Sequence, residues 1–404
     1  MSFSSVSAHS KNPKWEICIK REDQLYRRTG IRSEFARDYT RILHCTAYRR
    51  LKHKTQVFSA PENDHICTRI EHVNHVASVS STIAKELGLN LELISAIATG
   101  HDLGHAPFGH QGEEVLKDII TSKKINEPFW HEKNSLWFVD KIETLLDPHG
   151  KQRNLNLTYA VRDGIISHCG EVDENALFPR EEELDLLSDI DEPGKFQPFT
   201  WEGCVVKIAD KIAYLGRDIE DALRLKILTD ANIEDLKTIV KEILNLEVDI
   251  HEVNNTVLMN DFIIDLCNSS SPESGIRFSA VYLDLINSIK RFNYNYIYHH
   301  PRLEYYKKYS YLIINSIFDV LSSFYSTLKE LNQHKSYPLL INSFTDWLIK
   351  YSNVDLDLRK QRNYENKVIY DINNEEEYFR AIITYISGMT DNFAVKVFKE
   401  LIAF

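Results

Sequence analysis

The chain has 404 residues, of which 43% are hydrophobic and 26% charged, a balance typical of a folded globular protein rather than a disordered one. No apolar run approaches the roughly 18 residues that a membrane-spanning helix needs, so we predict a cytoplasmic protein without a membrane segment. The net charge of -11 argues against a surface built for duplex DNA but is compatible with a local basic pocket. Six scattered cysteines without a Cys-x-x-Cys pair indicate neither a disulfide framework nor a zinc–thiolate site.

Apolar residues recur at spacings of three and four, and glycine and proline are sparse, which together predict an all-α fold with few strands or none. In chain order, the predicted helices cover residues 32–51, 68–87, 90–100, 201–225, 232–246 and 278–292. Gly88 is the expected C-cap of the second helix, while Asn90 and Asn232 are the expected N-caps of the third and fifth. Residues 171–200 are acidic and contain three prolines, so we predict a surface connection there.

One dipeptide, His101-Asp102, is the most informative feature of the chain. It lies where the predicted helix 90–100 ends, and Gly100 and Gly104 give the backbone freedom to turn. An adjacent histidine and carboxylate can hold one metal ion from a single point of the backbone. Half of a metal site is therefore predicted here.

Two further ligands are predicted on neighbouring helices. His72 lies inside the helix 68–87, and Asp210 lies in the apolar stretch Lys-Ile-Ala-Asp-Lys-Ile-Ala-Tyr, where a carboxylate is costly to bury without a cation. A single histidine is more often a buried residue bonded to a carbonyl than a ligand, and we assign His75 to that structural role. Two imidazoles and two carboxylates suit Mn²⁺, Fe²⁺, Co²⁺ or Mg²⁺.

The order of these four residues resembles the HD superfamily of metal-dependent phosphohydrolases. Two N-terminal stretches, Arg-Thr-Gly-Ile-Arg-Ser-Glu-Phe-Ala-Arg-Asp-Tyr-Thr-Arg-Ile and Tyr-Arg-Arg-Leu-Lys-His-Lys-Thr-Gln-Val-Phe, are similar to the signature of dGTP and related dNTP triphosphohydrolases. The segment Tyr-Ile-Ser-Gly-Met-Thr-Asp, which ends at Asp391, resembles the C-terminal motif of that family. The resemblance spans residues 27–394.

The resemblance implies an HD-domain helical bundle with a C-terminal helical extension. We expect one continuous body, with an N-terminal helical segment (1–60) contributing to the active site, an HD catalytic core (61–230) and a C-terminal helical region (231–404) packed on the core. The implied reaction uses one divalent ion and metal-activated water to cleave a dNTP, with dGTP favoured, into deoxynucleoside and inorganic triphosphate. The resemblance also implies a homo-oligomer, either a tetramer or a hexamer, with possible allosteric binding of a dNTP or single-stranded DNA.

The departing 5′ oxygen needs a proton, which an imidazole with a near-ordinary pKa can donate. We predict His110 as this acid, with Glu113 three residues later on the same helical face to orient it. The resemblance implies a catalytic histidine and an acidic partner at these positions, and His131 is placed in the same catalytic group as a donor toward the phosphates. The alternative interpretation of Gly-His-Gln-Gly-Glu is a plain helix start.

Binding of the triphosphate requires cations and hydrogen-bond donors inside an acidic protein. The resemblance implies phosphate contacts at Arg69, His105 and Lys211. Arg69 precedes the predicted ligand His72 by three residues, and Lys211 directly follows the ligand Asp210. Taken singly, each of these two cations would more often be a solvated surface charge.

Selection of the deoxyribose is predicted to depend on the helix 201–225. Tyr214 lies one turn beyond Asp210 and could place its ring against C2′, leaving no room for a hydroxyl group. Asp218 and Gln56 are expected to bond the 3′-hydroxyl group. Core packing is an equally good explanation of the tyrosine from periodicity alone.

The motif Tyr-His-His-Pro-Arg at residues 298–302 resembles a further family segment, without individual roles for its side chains. Two alternative functions stay open at this point. One is another HD-type nucleotide phosphohydrolase, and the other is a regulatory protein that binds nucleotides or single-stranded DNA.

Overall fold

Helices make up nearly all regular structure in the computed structural model, which describes residues 2–24, 30–59, 63–169, 176–245, 255–326 and 336–403. The α-helices in these ranges are α1 (Trp15–Cys18), α2 (Glu34–His44), α3 (Thr46–Arg50), α4 (Arg69–Leu87), α5 (Leu91–Gly100), α6 (Gly109–Lys123), α7 (His131–Trp137), α8 (Tyr159–Ser167), α9 (Trp201–Arg224), α10 (Asp230–Ile243), α11 (Asn255–Ser269), α12 (Ala280–Asn293), α13 (Pro301–Ser323), α14 (Pro338–Tyr351), α15 (Leu356–Gln361), α16 (Glu375–Ser387) and α17 (Asp391–Ile402). The predicted all-α class is confirmed.

Short elements of other kinds complete the described chain. Strands β1 (Thr144–Leu146) and β2 (Gln152–Asn154) form an antiparallel hairpin in which Thr144 pairs with Asn154. Two 3₁₀ helices cover Phe3–Ser5 and Leu51–His53, and two π-helical turns cover Phe138–Ile142 and Tyr294–Tyr298. Within the described ranges, no helix is both long enough and apolar enough to cross a membrane.

The two helices that lead into His101-Asp102 are capped as the sequence predicts. Gly88 ends α4 with φ at 75°, in the left-handed region that glycine tolerates. The Asn90 side chain then accepts hydrogen bonds from the backbone N–H groups of Glu92 and Leu93 and starts α5. These caps fix the direction of α5, and therefore the position of His101 and Asp102, which follow its last residue.

The single predicted helix 32–51 is wrong, because the chain forms α2 and α3 with a break at Cys45. Cys45 has an extended backbone with ψ at 157°. Glu143 Oε2 accepts hydrogen bonds from Thr46 N at 2.7 Å and from Thr46 Oγ1 at 2.8 Å, which restarts the helix. Cys45 Sγ is the N-cap acceptor for Tyr48 N, and the carboxylate of Glu143, remote in sequence, adds an acceptor for Thr46 N.

The predicted N-cap Asn232 is also wrong. Thr229 caps α10, and Asn232 is the third helical residue, whose side chain accepts back from Thr229 N at 2.9 Å. Asn232 thus belongs to a capping box that starts earlier than predicted. The predicted helix 232–246 ends at Ile243, and residue 246 lies outside the described ranges.

Residues 171–200 were expected to be a surface connection, and the described part, 176–200, is more than that. Arg180 is buried, forms an ion pair with Asp163 of α8, and donates a hydrogen bond to the hydroxyl group of Tyr159 at 2.9 Å. Phe199 N donates to the other oxygen of Asp163. The segment is therefore anchored against α8 by a buried ion pair, which the acidic composition did not reveal.

Several core helices pack around α5, the helix that ends at the predicted metal site. Helix α4 packs against α5 and α9, α2 packs against α5, and α8 packs against α5, α7 and α9. On the other side, α13 packs against α6, α16 and α17. The segment that joins α5 to α6 consequently lies between the N-terminal helices and the C-terminal ones.

Candidate functional site

Four side chains from three packed helices converge at the end of α5, and we call this group the α4–α9 cluster: His72, His101, Asp102 and Asp210. His72 Nε2 lies 2.9 Å from Asp210 Oδ1. His101 Nε2 lies 3.8 Å from Asp102 Oδ2 and 3.9 Å from Asp210 Oδ1. His72, His101 and Asp102 also have potential ligand atoms within 4.8 Å of one another, so their arrangement is compatible with a metal ion. The structure brings all four predicted ligands together.

The hydrogen bonds of His101 fit a metal ligand. Its Nδ1 lies 2.7 Å from the carbonyl oxygen of Ala98, so Nδ1 carries the proton that this bond requires. Nε2 is then left with a lone pair, and it is fully buried without a hydrogen-bond partner. A buried acceptor without a partner is costly, and coordination of a cation would satisfy it.

Asp102 is kept ionised by a buried arginine. Arg69 Nη1 donates to Asp102 Oδ2 at 2.7 Å, and both side chains are almost fully buried. Burial opposes ionisation, but Arg69 holds the pKa of Asp102 well below its ordinary value. Arg69 also donates to the carbonyl oxygens of Thr55 and Gln56. Arg69, the predicted phosphate contact, is therefore also the ion-pair partner of Asp102, a predicted metal ligand.

His168, at the end of α8, is a site residue that the sequence analysis missed. It is buried, its Nδ1 lies 2.6 Å from the carbonyl oxygen of Ile165, and burial lowers its pKa to about 3. A ligand atom of His168 lies within 4.8 Å of those of His101 and Asp210. His101 and His168 share one local signal, a histidine directly after an apolar helix that bonds the carbonyl three residues back.

A second group adjoins the first, and we call it the α6–α7 cluster: His105, His110, Glu113 and His131. Their potential ligand atoms all lie within 4.8 Å of one another. Glu113 Oε2 lies 3.0 Å from His131 Nδ1 and 3.9 Å from His110 Nδ1. The His105 ring stacks on the His131 ring with centroids 4.3 Å apart. The predicted partner of Glu113 was His110, whereas the closer contact in the structure is to His131.

The protonation states in this cluster differ from the sequence expectation. Desolvation and the positive charge of Arg69 lower the pKa of His110 below the near-ordinary value that we expected, although the side chain is more than half exposed, which weakens the desolvation. Burial disfavours the charged form of His131, but the carboxylates of Glu132 and Glu113 raise its pKa to about 10. Before substrate binds, the proton at neutral pH therefore resides on His131, while His110 is neutral.

The side chains predicted for the sugar lie on α9 and beside it. Asp218 is buried, and its Oδ2 accepts a hydrogen bond from the hydroxyl group of Tyr298 at 2.5 Å. Burial raises the pKa of Asp218 to about 7. Tyr214 is half-buried one turn before Asp218, and Gln56 has a buried Oε1 without a hydrogen-bond partner. Tyr298 comes from the motif to which the sequence analysis assigned no individual roles.

The loop that leads into α6 is held by the C-terminal motif. Phe108 and Gly109 both have positive φ, at 66° and 63°, and for phenylalanine this conformation is strained. Asp391 accepts hydrogen bonds from Phe108 N at 2.8 Å and from Thr55 N at 2.9 Å. The buried Lys54 bonds the carbonyl oxygens of His105 and Ser387. The C-terminal motif and the N-terminal signature thus fix the same loop; Arg28 and Thr29 of that signature lie outside the described residues.

The remaining predicted phosphate contact, Lys211, is buried on α9 directly after Asp210. His105 lies on the loop before α6, and Arg69 lies at the first turn of α4, where it pairs with Asp102. Among the three predicted phosphate contacts, Arg69 directly contacts a predicted ligand.

Comparisons with known proteins show the family to which the chain belongs. The HD domain family matches residues 69–215. A protein of Caldanaerobacter subterraneus subsp. tengcongensis is 33% identical over 371 residues, covering 92% of this chain and 85% of that protein. Proteins of Desulfatibacillum aliphaticivorans (37% over 274 residues, 67% and 68% covered) and Rickettsia bellii (30% over 394 residues, 95% and 96% covered) are also similar. All three are named deoxyguanosinetriphosphate triphosphohydrolase-like proteins, and the chain described here belongs to that HD-domain family.

Proposed function

We propose that the protein hydrolyses deoxynucleoside triphosphates, dGTP among them, to deoxynucleoside and inorganic triphosphate. The observation that carries the proposal is that two groups of different character adjoin, with potential ligand atoms of Asp102 and His131 within 4.8 Å of each other. In the α4–α9 cluster, the buried Nε2 of His101 has no hydrogen-bond partner and is available to bind a cation. The adjoining α6–α7 cluster contains imidazoles of unequal pKa. The family relationship supports the same reaction.

The α4–α9 cluster would hold one divalent ion through two imidazole nitrogens and two carboxylates, a donor set that suits Mn²⁺, Mg²⁺, Fe²⁺ or Co²⁺. Such an ion, when bound, supplies a Lewis acid for the α-phosphate and lowers the pKa of water. The protein's own contribution is to keep the ligands in their binding states. Arg69 keeps Asp102 ionised, and the carbonyl of Ala98 keeps the proton of His101 on Nδ1.

The α6–α7 cluster would protonate the leaving 5′ oxygen. The His110 side chain is 56% exposed, so it can approach a substrate, while Glu113 is nearly buried beneath it. A bound triphosphate carries about four negative charges, and these would raise the pKa of His110 toward neutrality. His110 then accepts a proton on substrate binding and donates it to the 5′ oxygen. Glu113, which pairs with His131, would orient this acid, and its carboxylate favours the charged form of His110.

Selection of the sugar would depend on α9 and its neighbours. Tyr214 would press against C2′ and exclude a ribose 2′-hydroxyl group. The 3′-hydroxyl group would bond Asp218, which Tyr298 holds in place, and the buried Oε1 of Gln56, which has no other partner. Lys211 and His105 would contact the phosphates.

We also propose that the protein forms a homo-oligomer, either a tetramer or a hexamer. Light scattering on the purified protein would measure its mass in solution.

Product analysis in H₂¹⁸O tests the proposal. The protein is incubated with Mn²⁺ and each of the four dNTPs, and the products are separated and weighed by mass spectrometry. Attack at the α-phosphorus predicts deoxynucleoside without label and triphosphate with one ¹⁸O atom. Deoxynucleoside monophosphate plus diphosphate would instead indicate another HD-type phosphohydrolase, and binding without any turnover would indicate a regulatory protein.

The matched variants are Glu113→Gln and Glu114→Gln, because the two carboxylates are adjacent and undergo the same substitution. Glu113 contacts His110 and His131, whereas Glu114 is exposed and pairs with Lys117. We expect Glu113→Gln to reduce turnover by about 100-fold, within the range of general acid–base catalysis, and Glu114→Gln to leave it unchanged. Equal turnover in the two variants would contradict the proposed role of the α6–α7 cluster.

A further inference from the structure

The α6–α7 cluster has the composition of a metal site as well as that of a proton-transfer group. It offers three imidazoles and one carboxylate, a donor set that suits borderline transition-metal ions such as Zn²⁺. The α4–α9 cluster, with two imidazoles and two carboxylates, is harder in character. The two groups would therefore favour different ions.

The distances fit a four-coordinate ion. Zinc bonds of about 2.0–2.1 Å in a tetrahedral site place neighbouring ligand atoms about 3.3 Å apart. Glu113 Oε2 lies 3.0 Å from His131 Nδ1 and 3.9 Å from His110 Nδ1, close to this spacing. The stacked His105 and His131 rings would have to rotate relative to each other for both to bind one ion. Lys117 Nζ, 3.1 Å from Glu113 Oε1, holds the carboxylate from behind.

His105 supplies an independent observation. Its side chain is fully buried, and neither ring nitrogen has a hydrogen-bond partner. Its ring contacts those of both His110 and His131, with centroid distances of 5.0 Å and 4.3 Å. A neutral imidazole that is buried without partners and surrounded by other ligand groups can be satisfied by a cation.

We propose that the α6–α7 cluster is a second metal site, which takes Zn²⁺ or a similar borderline ion in addition to the ion at the α4–α9 cluster. Both ring nitrogens of the buried His105 lack a hydrogen-bond partner, and the ligand atoms of His110, Glu113 and His131 lie within 4.8 Å of one of them. Binding at this site does not depend on the proposed function.

One consequence does rest on the proposed function. An ion in the α6–α7 cluster occupies the nitrogen with which His110 would accept and donate the proton. Zn²⁺ in excess of one ion per chain should therefore inhibit dNTP hydrolysis even when the α4–α9 cluster is filled with Mn²⁺.

Equilibrium dialysis against Zn²⁺, with elemental mass spectrometry of the protein, tests the proposal. We expect wild type and Glu114→Gln to bind one more Zn²⁺ per chain than Glu113→Gln, which changes only one oxygen of the ligand to nitrogen. Asp210→Asn, which alters the other cluster, should keep the ion that Glu113→Gln loses. Circular dichroism confirms that each variant is folded.

Cobalt substitution gives a second readout that is independent of turnover. Co²⁺ in a four-coordinate site absorbs visible light far more strongly than Co²⁺ in a six-coordinate site, so the second equivalent should add intense bands in wild type and not in Glu113→Gln. Equal zinc content in Glu113→Gln and Glu114→Gln, or a wild-type spectrum without those bands, would overturn the proposal. If the second ion binds but no dNTP is cleaved, the proposed function fails and the metal site stands.

Discussion

The close approach of Gly104 to α7 makes Gly104→Ala a sharp test of how the site is built. A methyl group at residue 104 would lie 2.1 Å from Ser135 N and 2.3 Å from the carbonyl carbon of Asn134, where ordinary contacts begin at 3.4 Å. Both neighbours are backbone atoms, so the loop and α7 must separate by about 1.3 Å. The separation would also disturb the bonds that Gly104 makes with the side chains of Ser135 and Asn134.

This separation affects both clusters, because the loop carries Asp102 and His105 while α7 begins at His131. Overpacking of this size costs about 3 kcal/mol of unfolding free energy, and a displacement of about 1 Å between catalytic groups can cost 10²-fold in turnover. Urea unfolding monitored by circular dichroism measures the first quantity, and steady-state dNTP hydrolysis measures the second.

Gly150→Ala is the matched control. Gly150 has φ at 74°, and a methyl group there meets nothing within 4 Å, so its substitution adds only the strain of a left-handed alanine, about 1 kcal/mol. We expect wild-type turnover in this variant. If Gly104→Ala were no less stable than Gly150→Ala and equally active, the close packing of the loop on α7 would be refuted.

Three other predictions follow from the site. Tyr214→Ala should admit ribonucleotides and lower the dGTP/GTP ratio of kcat/KM at least tenfold; an unchanged ratio would refute the steric role. The pKa of Asp218 is raised by burial to about 7, against about 3.9 when unfolded, so the folded state binds the extra proton between these values and loses stability as the pH rises through them. The fall in unfolding free energy from pH 5 to pH 8 should be about 2–3 kcal/mol smaller in Asp218→Asn than in wild type, and equal falls would contradict the burial argument. Asp391→Ala leaves Phe108 N and Thr55 N without their acceptor, so it should cost about 2 kcal/mol of stability and lower kcat more than it raises KM, while metal content stays at the wild-type level.

Local signals carried the prediction of the helices nearest the site. The caps of α4 and α5 are formed by Gly88 and Asn90, whose side chains or backbone act within a few residues, so a sequence pattern can show them. The break at Cys45 is different, because Thr46 N donates to Glu143, which reaches α3 only after the chain has folded back. Patterns of spacing contain no information about such a contact.

The site residues also fall into two groups: those that a local sequence signal indicates, and those that only the folded structure brings together. His101 and Asp102 were identified from adjacency alone, and the structure places them with the two other predicted ligands. His168 was missed because a histidine directly after an apolar helix is a weak signal by itself, and only the fold shows that its ligand atom lies near those of His101 and Asp210. The unequal pKa values of the α6–α7 cluster were also beyond the sequence, because burial and the second carboxylate, Glu132, set them.

The central claim is that two imidazoles and two carboxylates bind one divalent ion at the end of α5. A crystal structure of the protein grown with Mn²⁺, with anomalous diffraction recorded at the manganese edge, tests it most directly. We expect one strong peak about 2.2 Å from His101 Nε2, with ligand atoms of His72, Asp102 and Asp210 at similar distances. A crystal in which manganese is bound at full occupancy outside the α4–α9 cluster, with His101 Nε2 more than 3 Å from any cation, would contradict this claim.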